Sequence, residues 1–371
     1  MNKFLYFISF LISLNALSQE KNYLLVGTYT SGKSEGIYVY EFDTKTGDFK
    51  LGSTAKTSNP SYLTVSPDQK FVYAVGENGN NGGSLVSFAF DKQTGTLTEL
   101  NRRSSGGKSP CYVTIDKTGK WIFTGNYSSG TVALLPVNEK GMVDSASIVF
   151  QHEGSSVNKQ RQESPHVHAT VLSPDDQYLF VPDLGIDKVM IYKFDAQAGK
   201  LAPATIPFAK TQPGVGPRHF EIHPNGKFAY LIEELSGRVT FFKVKDGVLT
   251  PIQSISALPL DFKGVIGSAD IHLSPDGRFL YASNRGESNT IAIFKTDLKN
   301  GKLTPVGHQS VLGKTPRNFN FDPTGKFLLV ANQNSDEIVI FSRNLQTGLL
   351  TDTKKRITVP NPVCIKWVDS K

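Results

Sequence analysis

A phrase that returns about every fifty residues, apolar positions spaced by two, and two chain ends that complete each other predict an all-β fold. They point to a seven-bladed β-propeller of four-stranded antiparallel blades. Composition agrees. Phe (24) and Tyr (13) are plentiful and Met (3) is scarce, as suits a β-rich chain. Gly (33) and Pro (20) stand near ordinary usage, which excludes collagen-like or low-complexity sequence. At roughly 150 residues per domain, 371 residues would suggest two or three domains. The repeat replaces that expectation with one closed domain over residues 19–371.

The phrase is a Pro, a short alternating stretch, a turn such as Ser-Pro-Asp-Gly, and an aromatic-containing strand. Clear copies are SPDQKFVYAV (66–75), SPDDQYLFVP (173–182), HPNGKFAYLI (223–232), SPDGRFLYAS (274–283) and DPTGKFLLVA (322–331), with DKTGKWIFTG (116–125) as a variant. The leading slot holds Pro60, Pro110, Pro165, Pro217, Ser268, Pro316 and Pro362, at spacings of 50, 55, 52, 51, 48 and 46 residues. A helical repeat would need apolar spacing of three and four. Ile37 with Val39, and Ile291 with Ile293, show spacing of two.

Each repeat reads as four strands, for example 218–222, 228–232 and 237–243, then a fourth after a Gly-Xaa-Leu turn such as Gly301-Lys302-Leu303. The Asp-Gly and Asn-Gly turns meet the positive φ that a tight hairpin requires. The chain starts mid-repeat at Tyr23–Thr28, which matches a second strand. It ends with Val363–Val368, which matches a first strand. Joined in one blade, these ends close the ring and leave no open sheet edge.

Residues 1–18 read as a secretory signal peptide: Lys3, an apolar run from Phe4 to Leu17, and small residues Ala16 and Ser18 before Gln19. The run is too short for a membrane span. Export to the periplasm or the extracellular space follows. Cleavage removes Lys3 and no acid, so the net charge of +7 becomes +6. No Lys/Arg block is long enough for a nucleic-acid surface. A basic balance suits an anionic small molecule. Cys111 and Cys364 fall in non-adjacent repeats, so two free thiols are expected.

In an antiparallel hairpin, the start of strand one lies beside the end of strand two. In a propeller, strand one lines the central channel. Residues just past the Pro slot and just past strand two are therefore expected at one channel mouth. One past the slot stand Ser61, Cys111, His166, Arg218, Ala269, Arg317 and Val363. Two past stand Tyr62, Tyr112, Val167, His219, Asp270, Asn318 and Cys364. Strand two ends on Thr28, Gly76, Asn126, Asp183, Glu233, Asn284 and Asn332, followed by Tyr29, Glu77, Tyr127, Leu184, Glu234, Arg285 and Gln333. Propellers also use Asp, Asn and Arg to tie blades together, so any single polar residue here reads first as structural. The clustering of His166, His168, Arg218, His219, Glu234, Arg285 and Arg317 from four consecutive repeats points to function. Buried charges need partners, so this mouth is a salt-bridge network or an anion site.

Ser-Pro-His-Val-His (164–168), Gly-Pro-Arg-His-Phe (216–220), Ala-Asp-Ile-His-Leu-Ser-Pro-Asp-Gly (269–277) and Pro-Arg-Asn-Phe (316–319), at blade spacing, resemble the seven-bladed lactonase family. That family includes propeller-type 6-phosphogluconolactonase and fungal carboxymuconate cyclase. The resemblance spans essentially the whole mature chain. It implies hydrolysis of a sugar or acidic lactone without a cofactor, with His168, Arg218, Glu234 and Arg285 as catalytic residues. His166, His219, Arg317, Asn318 and Gln333 are expected to extend the substrate pocket. Glu234 or His168 would be the general base, and Arg218 and Arg285 would hold the oxyanion or a substrate anion. The export signal departs from the family pattern, since a sugar-phosphate lactone is a cytosolic metabolite.

Three alternatives stand beside this reading. One is muconate-type ring closure by the same groups. The second is a divalent cation held by Asn126, Asp183, Glu233, Asn284 and Asn332, whose oxygens are hard ligands. The third is a non-catalytic propeller that binds carbohydrate or protein. The stretch 152–163 reads by default as a tolerated insertion, with a mobile flap over the mouth as the alternative.

Overall fold

The computed structural model of the protein describes residues 22–79 and 82–369. The expected leader, residues 1–18, lies outside them. The described chain forms seven four-stranded antiparallel sheets arranged in a ring. Numbered along the chain from the sheet that contains residue 22, blade 5 is representative. Its strands are Pro217–Ile222, Phe228–Glu233, Arg238–Lys245 and Val248–Ser256. The third strand runs to Lys245, beyond the expected residue 243, because Val244 and Lys245 still pair with Leu249 and Val248 across the turn. In the hairpin before the second strand Gly226 has φ +68. In the two copies that lack Gly, Gln69 and Asp176 take the same conformation at φ +58 and +56.

Blade 1 is built from both ends of the chain. Pro362–Val368 pairs with Asn22–Thr28, which is followed by Gly36–Phe42 and Phe49–Lys56. The register runs from Tyr23 opposite Val368 to Thr28 opposite Pro362. Cys111 in blade 3 and Cys364 in blade 1 are buried free thiols, as expected.

The core lies between blades. Tyr230, Phe241, Ile271, Leu280 and Phe294 join blades 5 and 6, while Tyr281, Ile293, Phe319, Val330 and Phe341 join blades 6 and 7. A single blade would leave both of its apolar faces in water, so burial requires the neighbours.

One contact repeats around the ring and accounts for both the aromatics and the Gly-Xaa-Leu turns. The aromatic at or near the start of each second strand lies on the turn glycine of the next blade. The pairs are Tyr23 on Gly95, Phe71 on Gly141, Trp121 on Gly199, Tyr178 on Gly247, Phe228 on Gly301, Phe279 on Gly348 and Phe327 on Gly47. At Gly301 φ is +78, and an added Cβ would sit 2.4 Å from Phe241 Cζ and 2.8 Å from Phe228 Cγ. Tyr230 closes the same contact by donating its hydroxyl to Gly301 O at 2.8 Å.

A buried carboxylate joins the first strands of blades 5, 6 and 7. Asp270 Oδ1 is 2.7 Å from His219 Nδ1, and Oδ2 accepts from Phe319 N at 3.2 Å and from the Asn318 amide. His272 Nε2 lies 3.1 Å from the same Oδ2, and His272 Nδ1 is 3.6 Å from Glu221. The two histidines differ in charge. Burial and the nearby Arg218 lower His219 to about 3, so it is neutral. Burial would also lower His272, but Asp270 and Glu221 raise it to about 10, so it is charged.

Two outcomes follow. Gly301→Ala adds both a steric overlap and a left-handed alanine, and should cost about 2–4 kcal/mol. Urea unfolding measures this, and an unchanged midpoint would contradict the packing described. The histidines also set a pH dependence. His219, with its pKa depressed from 6.5 to about 3, contributes stability that is present above 6.5 and lost as pH falls toward 3. His272, raised from 6.5 to about 10, contributes stability that is present below 6.5 and lost as pH rises toward 10. Thermal midpoints should therefore peak near pH 6.5, and His272→Gln should flatten the alkaline side. Survival of the alkaline decline in that variant would refute the assignment.

Candidate active site

The ends of the second strands carry the central groups. Glu234 follows Phe228–Glu233 directly, and its N–H bonds to Gly216 O at 2.7 Å. Arg285 follows Phe279–Asn284, with its N–H on Gly267 O at 3.1 Å. Arg218 lies at the start of the first strand of blade 5. These anchors hold each side chain by the backbone on either side of a strand end.

Glu234 is the hub. Its Oε2 lies 2.9 Å from Arg218 Nε, 3.1 Å from Arg285 NH2 and 3.8 Å from His168 Nε2. Its Oε1 lies 2.6 Å from Arg161 NH2. All four expected catalytic residues are therefore brought together. Arg218 is also held by Ala269 O, and Arg285 by Gly267 O at 2.9 Å and Ser268 O at 3.3 Å. Three guanidinium groups face one carboxylate, a local surplus of two positive charges.

The electrostatics follow from burial and these partners. Burial would raise Glu234, but Arg285, Arg218 and Arg161 outweigh it and hold the carboxyl at about 2. Burial, then Arg218, pushes His168 well below the usual imidazole range, so it is neutral. Burial lowers Arg285 to about 9, with Arg218 and Arg317 adding to the effect and Glu234 opposing it.

Blade 4 departs from the regular pattern. Its first strand shrinks to Val171–Leu172 plus an isolated bridge between Val167 and Asp183. Here Asp183 Oδ1 accepts the N–H groups of His166 at 2.7 Å and Gly185 at 3.0 Å. The proline-based columns are one residue out of register here. His168 N–H bonds to Pro182 O, so His168, not Val167, matches His219 opposite Ile232 and Tyr112 opposite Gly125.

The expected pocket residues divide. His166 stacks on Tyr127 with ring centroids 4.4 Å apart, and Tyr127 meets His168 edge-on at 5.3 Å. Arg317 lies over the Tyr29 ring at 5.4 Å, and Tyr29 donates to Glu77 at 2.8 Å. Among the described residues Arg317 has no ion pair within 4.0 Å. Gln333 opens a 3-10 turn over Gln333–Ser335. His219 and Asn318 are taken up by Asp270, and Asn318 Oδ1 also accepts Ile365 N–H at 2.7 Å. Both therefore serve the contact between blades, and His219 also meets His168 edge-on with ring centroids 5.5 Å apart.

The residues considered for a cation are also engaged. Asn126, Asn284 and Asn332 donate to Ser105 O (3.1 Å), Ala257 O (2.6 Å) and Val311 O (3.1 Å), each at the end of the preceding blade. Glu233 accepts from Ser236 and Thr240, both at 2.7 Å. Among the described residues no group of three or more His, Cys, Asp or Glu is placed to hold a metal ion.

Arg161 was missed because it lies in the stretch 152–163, outside the repeat. That stretch is not a bare insertion. Ser156 Oγ bonds Asp187 at 2.5 Å, the buried Gln162 donates to Leu184 O at 2.9 Å, and His152 pairs with Asp183 at 2.7 Å. Tyr127 and Glu77 did stand in the same column as Glu234 and Arg285. That alignment was the available signal for them.

Comparison with known proteins places the chain. The family described as lactonase, 7-bladed beta-propeller, matches residues 23–367. The chain is 38% identical over 349 residues to the 6-phosphogluconolactonase of Bacillus subtilis, covering 92% of this chain and 97% of that one. It is 38% identical over 341 residues to the 6-phosphogluconolactonase of Formosa agariphila, covering 91% and 96%. The solved periplasmic gluconolactonase of Pseudomonas aeruginosa is 42% identical with a TM-score of 0.91, covering 95% of this chain and 100% of that one. The ring of seven blades and the match along nearly its whole length show that this chain belongs to the lactonase family of seven-bladed β-propellers.

Proposed function

We propose that this chain is an exported lactonase that opens a sugar or acidic lactone bearing an anionic group, at the mouth of the ring where Glu234, His168, Arg218 and Arg285 meet. The single observation that carries the reading is the Glu234 cluster, a buried carboxylate with excess guanidinium beside a neutral imidazole 3.8 Å away. The lactones of gluconate and 6-phosphogluconate, implied by the names of the relatives, fall in this class. The layout of residues 1–18 and the periplasmic relative support export.

The chemistry is water addition to the lactone carbonyl followed by cleavage of the ring C–O bond. Arg218 and Arg285 receive the carbonyl oxygen as it becomes an oxyanion, and planar guanidinium donors suit the carboxylate that results. Water is held between Glu234 and His168. Glu234, at about 2, is ionised at any working pH but is a weak base. His168 is neutral; burial and Arg218 weaken it as a base too, so it takes the water proton only because the Glu234 carboxylate 3.8 Å away stabilises the imidazolium. The same proton passes to the departing ring oxygen, which leaves as a hydroxyl. Arg317 makes no direct ion pair among the described residues, although Glu77 and Glu234 lie in its field, and it is available to an anionic substituent. The protein's side chains alone suffice for these steps.

A panel of lactones assayed with the wild type and with Glu234→Gln and His168→Asn tests the proposal. Each variant should lose roughly a hundred- to a thousand-fold in kcat/KM on whichever lactone is turned over. Thermal midpoints recorded alongside separate lost chemistry from lost folding. No turnover of any lactone, or full activity in folded Glu234→Gln, would sink the reading.

A further inference from the structure

We infer that Arg161 is a specificity-determining residue. The anionic group of an incoming lactone takes its guanidinium from Glu234, and that exchange bares Glu234 Oε1 inside the site. The inference rests on the lactonase reading above.

The three arginines on Glu234 are held unequally. Arg218 and Arg285 share Oε2, are 1% and 16% exposed, and are each fixed by backbone carbonyls as well. Arg161 alone holds Oε1, its side chain is 42% exposed, and its other contact is Tyr127 Oη at 3.4 Å. Of the three, it is the one whose departure costs least, because half-exposed ion pairs are worth less than buried ones.

Its backbone is pinned. Ser156, Gln162 and the turn at Asn158, whose carbonyl accepts Gln162 N–H at 2.7 Å, tie the segment to blade 4 and to itself. Exchange therefore needs only a side-chain rotation. In the structure the half-exposed Arg161 occupies Oε1, the carboxylate oxygen that Arg218 and Arg285 leave free, beside the site of the proposed water. A phosphorylated or carboxylated lactone offers a replacement anion for that guanidinium, whereas a neutral lactone offers none and must displace the arm against its ion pair.

The groups facing Glu234 are Arg161, Arg218, Arg285 and His168, with Tyr127 and Arg317 beyond them. Withdrawal of one positive charge from this set raises the basicity of Glu234 and strengthens its support of a His168 imidazolium.

The test compares 6-phosphogluconolactone with gluconolactone in the wild type, Arg161→Gln and Arg161→Lys. The ratio of kcat/KM for the phosphorylated over the neutral lactone should fall at least about tenfold in Arg161→Gln, mostly through KM for the phosphorylated substrate. Arg161→Lys should restore part of the ratio. A merely structural role would lower both activities together, so an unchanged ratio overturns the inference and leaves the lactonase reading standing. A wild type that turns over neither lactone overturns both.

Discussion

Strand Pro362–Val368 lies against Asn22–Thr28, and the first blade exists only through that pairing. Until it forms, the chain has six blades and two loose edges, and no fixed angle separates one blade from the next. Once it forms, each blade faces a neighbour on both sides. The seven aromatic-on-glycine contacts then set the spacing. Glu234, Arg285, Arg218 and His168 belong to blades 4, 5 and 6, and Arg161 to the connection that enters blade 4. They meet because closure leaves these strand ends nowhere else to point.

Two buried carboxylates organise the centre in opposite ways. Asp270 is matched by its neighbours: a charged His272, a neutral His219, an amide and two backbone N–H groups. It ties three blades together. Glu234 is over-matched, with three guanidinium groups around it. Burying charge is tolerated only with compensation. The first carboxylate is compensated by the protein, while the second leaves a positive surplus for an anion to complete. Arg218 lies between them, since it pairs with Glu234 and its field helps keep His219 neutral. Arg218 and His219, adjacent in one strand, thus link the two carboxylate clusters.

Much of this was legible in the sequence because it repeats. Blade number, turn positions and closure all follow from the Pro and Gly spacing. Arg218, Glu234 and Arg285 stood in columns that the repeat defines, and His168 came from the family resemblance. What did not repeat could not be read the same way. Arg161 has no counterpart in other blades. The one-residue offset in blade 4 accompanies Asp183, whose side chain accepts the His166 and Gly185 N–H groups. His219 and Asn318 occupied promising columns, but their shared partner Asp270 lies 51 and 48 residues away, and only the fold shows that it claims both.

The central claim is that the Glu234 cluster is where an acidic lactone is opened. A crystal structure with the ring-opened product, 6-phosphogluconate, tests it most directly. The account predicts the product carboxylate on Arg218 and Arg285 beside His168, with the phosphate drawing Arg161 off Glu234. Product bound elsewhere on the ring, with the Glu234 cluster unchanged and vacant, would contradict it.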